Sequence, residues 1–287
     1  MNIAVTGCRG QLGNEMWKIA TNNALHQWFF SDIDQLDIAD SEAVERYFGD
    51  NHIDCCVNCA AYTAVDRAED EADLAETVNH HAPAILAKAC LNHNALLIHV
   101  STDYVFDGKG SRPYRETDVT GPASVYGKTK LAGELAIQES GCDFCIVRTA
   151  WLYSSTGKNF VRTMLSLAAS HQEVNVVSDQ HGSPTYAGDL AQVIMALVSR
   201  YAKQPVHEVF HFTNEGTTSW DVFAKAIFEL DRSPCCVNPI TTEQYPTRAK
   251  RPAYSALDTT KVKETLHIQI PFWKDSLKRC IEIMKST

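Results

Sequence analysis

The run Thr6-Gly7-Cys8-Arg9-Gly10-Gln11-Leu12-Gly13 constrains the fold of this chain more than any other segment. It follows a short apolar stretch, Ile3 to Thr6, and opens a longer one, Gln11 to Ala24, whose apolar residues recur at helical spacing. Glycines at spacings of three and three let the backbone approach a bound group closely. A helix N-terminus beside them presents free N–H groups and the positive end of its dipole. Strand, glycine turn and helix in that order form the first unit of an open sheet that seats a dinucleotide pyrophosphate over Gly7, Gly10 and Gly13. Glycine spacing alone would fit an ordinary turn; its position between strand and helix weighs against that reading.

The segments that follow alternate in the same way. Strand-like runs at Trp28 to Ser31, Cys55 to Cys59, Leu96 to Val100 and Cys145 to Arg148 are separated by helical patterns at Ser41 to Phe48, His81 to Leu91 and Tyr126 to Glu139. This specifies the α/β class: a doubly wound parallel sheet of the NAD(P)-binding Rossmann kind, with a smaller mixed C-terminal substrate lobe. Proline and polar turns at Gly182-Ser183-Pro184, Ser233-Pro234 and Arg251-Pro252 mark that lobe. A helix from Asp189 to Ser199 and a strand from Val209 to Phe212 are expected to return to the main domain. The predicted division is therefore 1–153 plus roughly 186–212 for the cofactor domain, and 154–185 with 213–287 for the substrate lobe.

Charge and cysteine usage narrow the class of function. With 26 Lys and Arg against 35 Asp and Glu, the formal charge of −9 repels nucleic acid and anionic membranes, and no apolar run is long enough to span a bilayer. Asn2 to Thr6 runs straight into the glycine loop, which leaves no secretory core. The ten cysteines suit a reducing cytoplasm, the expected location. Cys56 and Cys59, and Cys142 and Cys145, have the C-x-x-C spacing of a zinc or redox pair. Both fall in or beside buried strands, where alternate residues point to opposite faces, so they read as core. The eleven histidines, His80-His81 among them, show no ligand spacing, and no metal site is predicted.

Asp32 ends the second strand nineteen residues after Gly13, where a carboxylate takes the adenosine ribose hydroxyls and favours NADH. Arg9 argues the other way, since its guanidinium could reach a ribose phosphate. Both NADPH and NADH are expected to serve. Ile38 is a candidate apolar contact for adenine and Asp37 for its amino group, although Asp37 reads equally well as a loop residue ahead of a helix capped by Ser41.

Ser124-Val125-Tyr126-Gly127-Lys128-Thr129-Lys130 sets Tyr126 and Lys130 four apart, on one helix face. Hydride reduction of a ketone leaves an alkoxide that needs a proton. A phenol near pKa 10 supplies it poorly unless an adjacent ammonium favours the phenolate, by a shift of about three units. The same ammonium can hold the nicotinamide ribose. Ser101-Thr102-Asp103-Tyr104 ends the fourth strand at the sheet edge where such folds bind ligands, so Thr102 could hydrogen-bond the carbonyl beside Tyr126. A polar strand end that satisfies turn backbone is the alternative for Ser101 and Thr102.

These residues resemble the extended short-chain dehydrogenase/reductases and, within them, the dTDP-4-dehydrorhamnose reductases. The likeness lies in Gly10-Gln11-Leu12-Gly13, the run Asn58 to Glu69, Ser101 to Gly108, Tyr126 to Glu134, Arg148 to Tyr153, Asn159-Phe160 and Asp179 to Thr185. It implies that Gly10, Gln11 and Leu12 meet the pyrophosphate and that Asp32, Asp37 and Ile38 surround the adenosine. Ala61, Tyr62, Thr63 and Val100 would flank the cofactor further along. Thr102, Asp103 and Trp151 would touch the sugar nucleotide, and Tyr126 would donate the proton with Lys130 beside it. The implied reaction reduces the C4 ketone of a dTDP-linked 4-keto sugar, dTDP-4-dehydro-L-rhamnose. Related dehydratases carry an Asp-Glu pair after the threonine, and fucose-type epimerase-reductases a cysteine; here Asp103 is followed by Tyr104. Some relatives bind a divalent ion at a dimer contact, and Glu15 matches one ligand. Its companions cannot be placed, which leaves room for a homodimer but no metal claim.

Two other readings stay open at this point: a reductase of another nucleotide-linked 4-keto sugar, and a regulatory subunit that binds NADP without turnover. Trp151 reads as lobe packing as readily as a ligand contact.

Overall fold

A computed structural model describes residues 1–201 and 204–286. Five strands, β1 (Asn2–Thr6), β2 (Gln27–Ser31), β3 (Cys55–Asn58), β4 (Leu96–Thr102) and β5 (Phe144–Thr149), alternate with helices α1 (Gln11–Thr21), α2 (Ser41–Asn51), α3 (Ala82–His93) and α4 (Val125–Glu139). Beyond β5 the chain forms α5 (Phe160–Ala168), β6 (Glu173–Val177), α6 (Ala187–Tyr201), β7 (His207–His211), α7 (Trp220–Asp231), β8 (Cys236–Ile240) and α8 (Trp273–Ser286). The main sheet is wholly parallel in the order β7-β5-β4-β3-β1-β2. Its order reverses between β1 and β3, and the crevice at their carboxyl ends is where such sheets place a ligand.

Both faces of the sheet are covered, which is why its strands read as continuous apolar runs. One face packs Ile3, Val5, Val57, Ile98 and Val147 under Leu12 and Met16 of α1 and Leu190, Ile194 and Leu197 of α6. The other packs Ala4, Leu97 and Ile146 under Val44 of α2, Leu86 of α3 and Ile137 of α4. Each fully buried aliphatic side chain contributes about 1.5–3 kcal/mol. The cysteines divide between these layers: Cys145 lies on the first face and Cys142 on the second, with Cys56 on the second and Cys59 against the first. Strand alternation therefore separates both C-x-x-C pairs, and all ten thiols are free.

A third cluster fills the lobe, where Val161, Val174, Phe223, Ile227, Trp273 and Leu277 draw α5, β6, α7 and α8 together. There β6 pairs with β8 in parallel, apart from the main sheet. Helix α6 and strand β7 interrupt this lobe in sequence: α6 packs on α1, and β7 adds to the sheet beside β5. Among the described residues no helix is long and apolar enough to cross a membrane.

Candidate active site

The glycine loop is shaped by close approaches that only glycine permits. Gly7 has φ +63°, and a Cβ there would lie 2.7 Å from the Cα and N of Ala60. A Cβ on Gly13 would lie 2.5 Å from both the Cys8 Cα and the Gly7 carbonyl oxygen. Gly10 caps α1 without any side-chain bond, so the N–H groups of Gln11, Leu12 and Gly13 at its first turn await an acceptor. A glycine cradle against an uncapped helix end fits a pyrophosphate. The Leu12 side chain is buried in the core, so its backbone alone can face such a ligand.

At the adenosine end Asp32 accepts bonds from the Arg9 N–H at 3.0 Å and from the Ile33 N–H at 3.0 Å. The Arg9 guanidinium is not free as its position in the loop suggested: it pairs with Asp34 at 2.6 Å on the open surface. Asp37 is exposed and accepts from the Ala39 N–H, while Ile38 is buried against the second core face. Across the crevice Ala61 and Tyr62 are half-buried and Thr63 exposed. Asn79 holds this segment by donating to the Tyr62 carbonyl and accepting from the Tyr62 N–H.

At the carboxyl end of β4 the catalytic candidates meet. Ser124 caps α4 through the Gly127 N–H at 3.1 Å, which starts the helix so that Tyr126 and Lys130 look back at the strand. The Tyr126 phenol lies beside Thr102 and its ring stands edge-on to Tyr104, centroids 5.5 Å apart. Thr102 is buried, donates to Asp103 Oδ1 at 3.0 Å and accepts from the Tyr104 N–H at 3.2 Å. Val100 presents its carbonyl to the Lys130 Nζ at 2.7 Å.

The electrostatics depart from the expected lowering of the phenol. Burial pushes Tyr126 well above its ordinary pKa; the Thr102 hydroxyl opposes this, and the Asp103 and Tyr104 charges add to it. Lys130 does not offset this, since burial pushes it down to about 8. Its nitrogen is committed to the Val100 carbonyl and stands 3.1 Å from His99 Nε2. Tyr126 is thus a protonated phenol across the physiological range, the form a proton donor needs. Burial raises the Asp103 carboxyl to about 6, against the hydrogen bond from Thr102.

Beyond Tyr104 opens a groove of about 560 Å³, lined by Tyr104, Phe160, Val174, Gln180, Trp220 and Arg251 among others. Trp151, at φ +48°, stacks on Trp220 of the groove wall with centroids 3.6 Å apart. Arg251 bonds the Tyr104 hydroxyl at 3.0 Å and Asp66 at 2.5 Å. Sequence reasoning missed Arg251 and Trp220, which sit far along the chain in no motif. It also missed His99, whose signal was a histidine inside an otherwise apolar parallel strand.

Two further placements bear on metals. Glu15 is buried and already accepts from Lys18 at 2.9 Å and Ser154 at 2.6 Å. Contrary to the expectation that the histidines share no ligand geometry, Glu76, His80 and His81 place ligand atoms within 4.8 Å of one another, because a π-helical turn over Thr77–His81 sets i, i+4 and i+5 on one side. His80 uses its Nδ1 on Glu76 at 2.5 Å.

The comparisons with known proteins agree along the whole chain. The family model described as the RmlD substrate binding domain matches residues 1–286. A dTDP-4-dehydrorhamnose reductase of Burkholderia thailandensis is 41% identical over all of both chains. The crystal structure of a dTDP-4-dehydrorhamnose reductase from Clostridium acetobutylicum superposes with a TM-score of 0.94 at 40% identity, covering 99% of this chain and 100% of that one. A dTDP-4-dehydrorhamnose reductase from Bacillus anthracis, solved in complex with NADP, gives 0.92 at 35% identity, covering 98% and 99%. With its glycine cradle, its phenol and lysine above β4 and this full-length agreement, the chain belongs to the dTDP-4-dehydrorhamnose reductase family.

Proposed function

We propose that this protein reduces the C4 ketone of dTDP-4-dehydro-β-L-rhamnose to dTDP-β-L-rhamnose with NADPH or NADH, the last step of dTDP-rhamnose biosynthesis. The observation that carries this reading is the Tyr126 phenol, protonated and buried beside Thr102 at the carboxyl end of β4, one helical turn from Lys130.

The reduced nicotinamide supplies the hydride when bound. Gly7, Gly10 and Gly13 with the first N–H groups of α1 hold the pyrophosphate, Gln11 and Leu12 contributing through the backbone. Asp32, Asp37 and Ile38 surround the adenosine, and Ala61, Tyr62, Thr63 and Val100 flank the remainder. Thr102 orients the sugar ketone toward Tyr126, which gives its proton to the new alkoxide. Lys130, released from the Val100 carbonyl, turns toward the nicotinamide ribose and stabilises the phenolate left behind. Asp103 and Trp151 contact the sugar, and Arg251 meets the diphosphate at the mouth of the groove. The sugar-nucleotide lobe is 154–185 with 213–287, joined to a cofactor domain of 1–153 and 186–212.

The assay mixes the protein with NADH or NADPH and dTDP-4-dehydro-L-rhamnose and follows absorbance of the reduced nicotinamide. Oxidation with this sugar is expected. Oxidation with neither cofactor removes the enzymatic reading, and oxidation only with another 4-keto sugar reassigns the substrate.

A further inference from the structure

Behind the catalytic lysine lies a row of buried polar groups that the reaction as described leaves without a task. Thr6, Asn58 and His99 are paired in register across β1, β3 and β4, so their side chains share one face of the sheet, the face that α4 covers. The Thr6 hydroxyl donates to Asn58 Oδ1 at 2.7 Å, the Ala60 N–H donates to the same oxygen at 3.1 Å, Asn58 Nδ2 stands 3.0 Å from His99 Nδ1, and His99 Nε2 stands 3.1 Å from Lys130 Nζ. All four side chains are buried.

The directions of these bonds are fixed at one end. A backbone N–H can only donate, so Ala60 identifies the Asn58 atom facing it as the oxygen and leaves the amide nitrogen facing His99. His99 Nδ1 must then accept, and a neutral imidazole that accepts at Nδ1 carries its proton on Nε2. That N–H points at Lys130. An ammonium has no lone pair to receive it, whereas a neutral amine accepts from His99, donates to the Val100 carbonyl and keeps one hydrogen spare.

We propose that Asn58 and His99 are positioning residues that bias the charge of Lys130, favouring its neutral amine form in the cofactor-free protein through the tautomer that Asn58 imposes on His99. This deepens the reductase reading and rests on it for its catalytic meaning. Burial drives His99 well below its ordinary range and Lys130 to about 8, in the direction the bond polarity requires. The other groups facing this point are few. On α4 itself are Tyr126 and Glu134, and Glu134 raises Lys130 but is engaged by Arg148 of β5 at 2.6 Å. The turn after β4 brings Asp103 and Tyr104, and Glu69 and the uncharged Asn79 reach α4 from its outer side at Val125 and Thr129.

The test replaces the acceptor side of the row. Asn58→Asp keeps an oxygen for Thr6 and Ala60 and presents a second one to His99 Nδ1, which moves the proton there and frees Nε2 to accept from an ammonium. His99→Gln is the second variant, since its carboxamide can turn an oxygen to Lys130. Lysine ε-carbon NMR of the cofactor-free protein, with the Lys130 signal identified by its loss in Lys130→Arg, reads the titration without any turnover. The native protein should show Lys130 titrating below pH 9, and each folded variant should move it up by at least about one unit, a tenfold change in proton affinity. The basic limb of kcat/KM should move the same way. A native Lys130 that titrates above pH 10 with the surface lysines, or a folded variant that leaves it unmoved, overturns the proposal. The NMR result stands whether or not the sugar assignment does, so the two can fail separately.

Discussion

Asp103, proposed to contact the sugar, also carries a stability cost. Its pKa of about 6, against 3.8 when free, means the fold favours its protonated form. The penalty is absent below the unfolded value and fully present once pH has risen past the folded one. Asp103→Asn should therefore stabilise the protein relative to native at pH 8 and not at pH 3.5, by on the order of 2 kcal/mol. Thermal melts of both proteins at the two pH values check it; an equal difference at each would place the cost elsewhere. At the proposed adenosine end, Asp32 would oppose a 2′-phosphate, while Arg9, held by Asp34, lies in the glycine loop. The balance predicts use of both cofactors, with kcat/KM for NADH and NADPH within about a thousandfold (~4 kcal/mol), and a wider preference would show that one of the two charges dominates.

At the scale of elements, the βα units were legible because periodicity and turn chemistry agreed: β1 and α1, and β4 and α4, lie where the sequence placed them, within a few residues at their ends. The stretch before α3 was not legible. Helical turns at Val65–Ala68 and Ala72–Glu76 and the π turn at Thr77–His81 precede Ala82, where the pattern indicated a start near His81. Pro83 offers no N–H to the carbonyl of Asn79 four residues before it, so a regular helix through this point is disfavoured and a wider turn takes its place. Gly133 of α4 then packs against that carbonyl: a Cβ at 133 would lie 2.1 Å from the Asn79 oxygen. Gly133→Ala should force α4 away from the π turn and cost about 1–3 kcal/mol, read as a lowered midpoint in urea with an unchanged slope. No loss of stability would mean the contact is soft. The same variant should weaken cofactor binding, because Asn79 also clamps Tyr62.

Over the whole molecule, the interleaving of lobe and sheet was readable from a late helix and strand, α6 and β7, but the contents of the groove were not. Trp220 and Arg251 reach the site through long-range packing of a lobe whose pattern is irregular, and no local spacing ties them to Tyr126. The row Thr6, Asn58 and His99 needs the strand register, which single-chain patterns do not provide. What the sequence did carry was the four-residue spacing of Tyr126 and Lys130 and its place after a polar strand end. The most direct test of that central claim is single-turnover oxidation of the reduced cofactor by Tyr126→Phe with saturating dTDP-4-dehydro-L-rhamnose. The rate should fall at least about a hundredfold below native with cofactor affinity nearly unchanged, and a near-native rate would mean the proton comes from elsewhere.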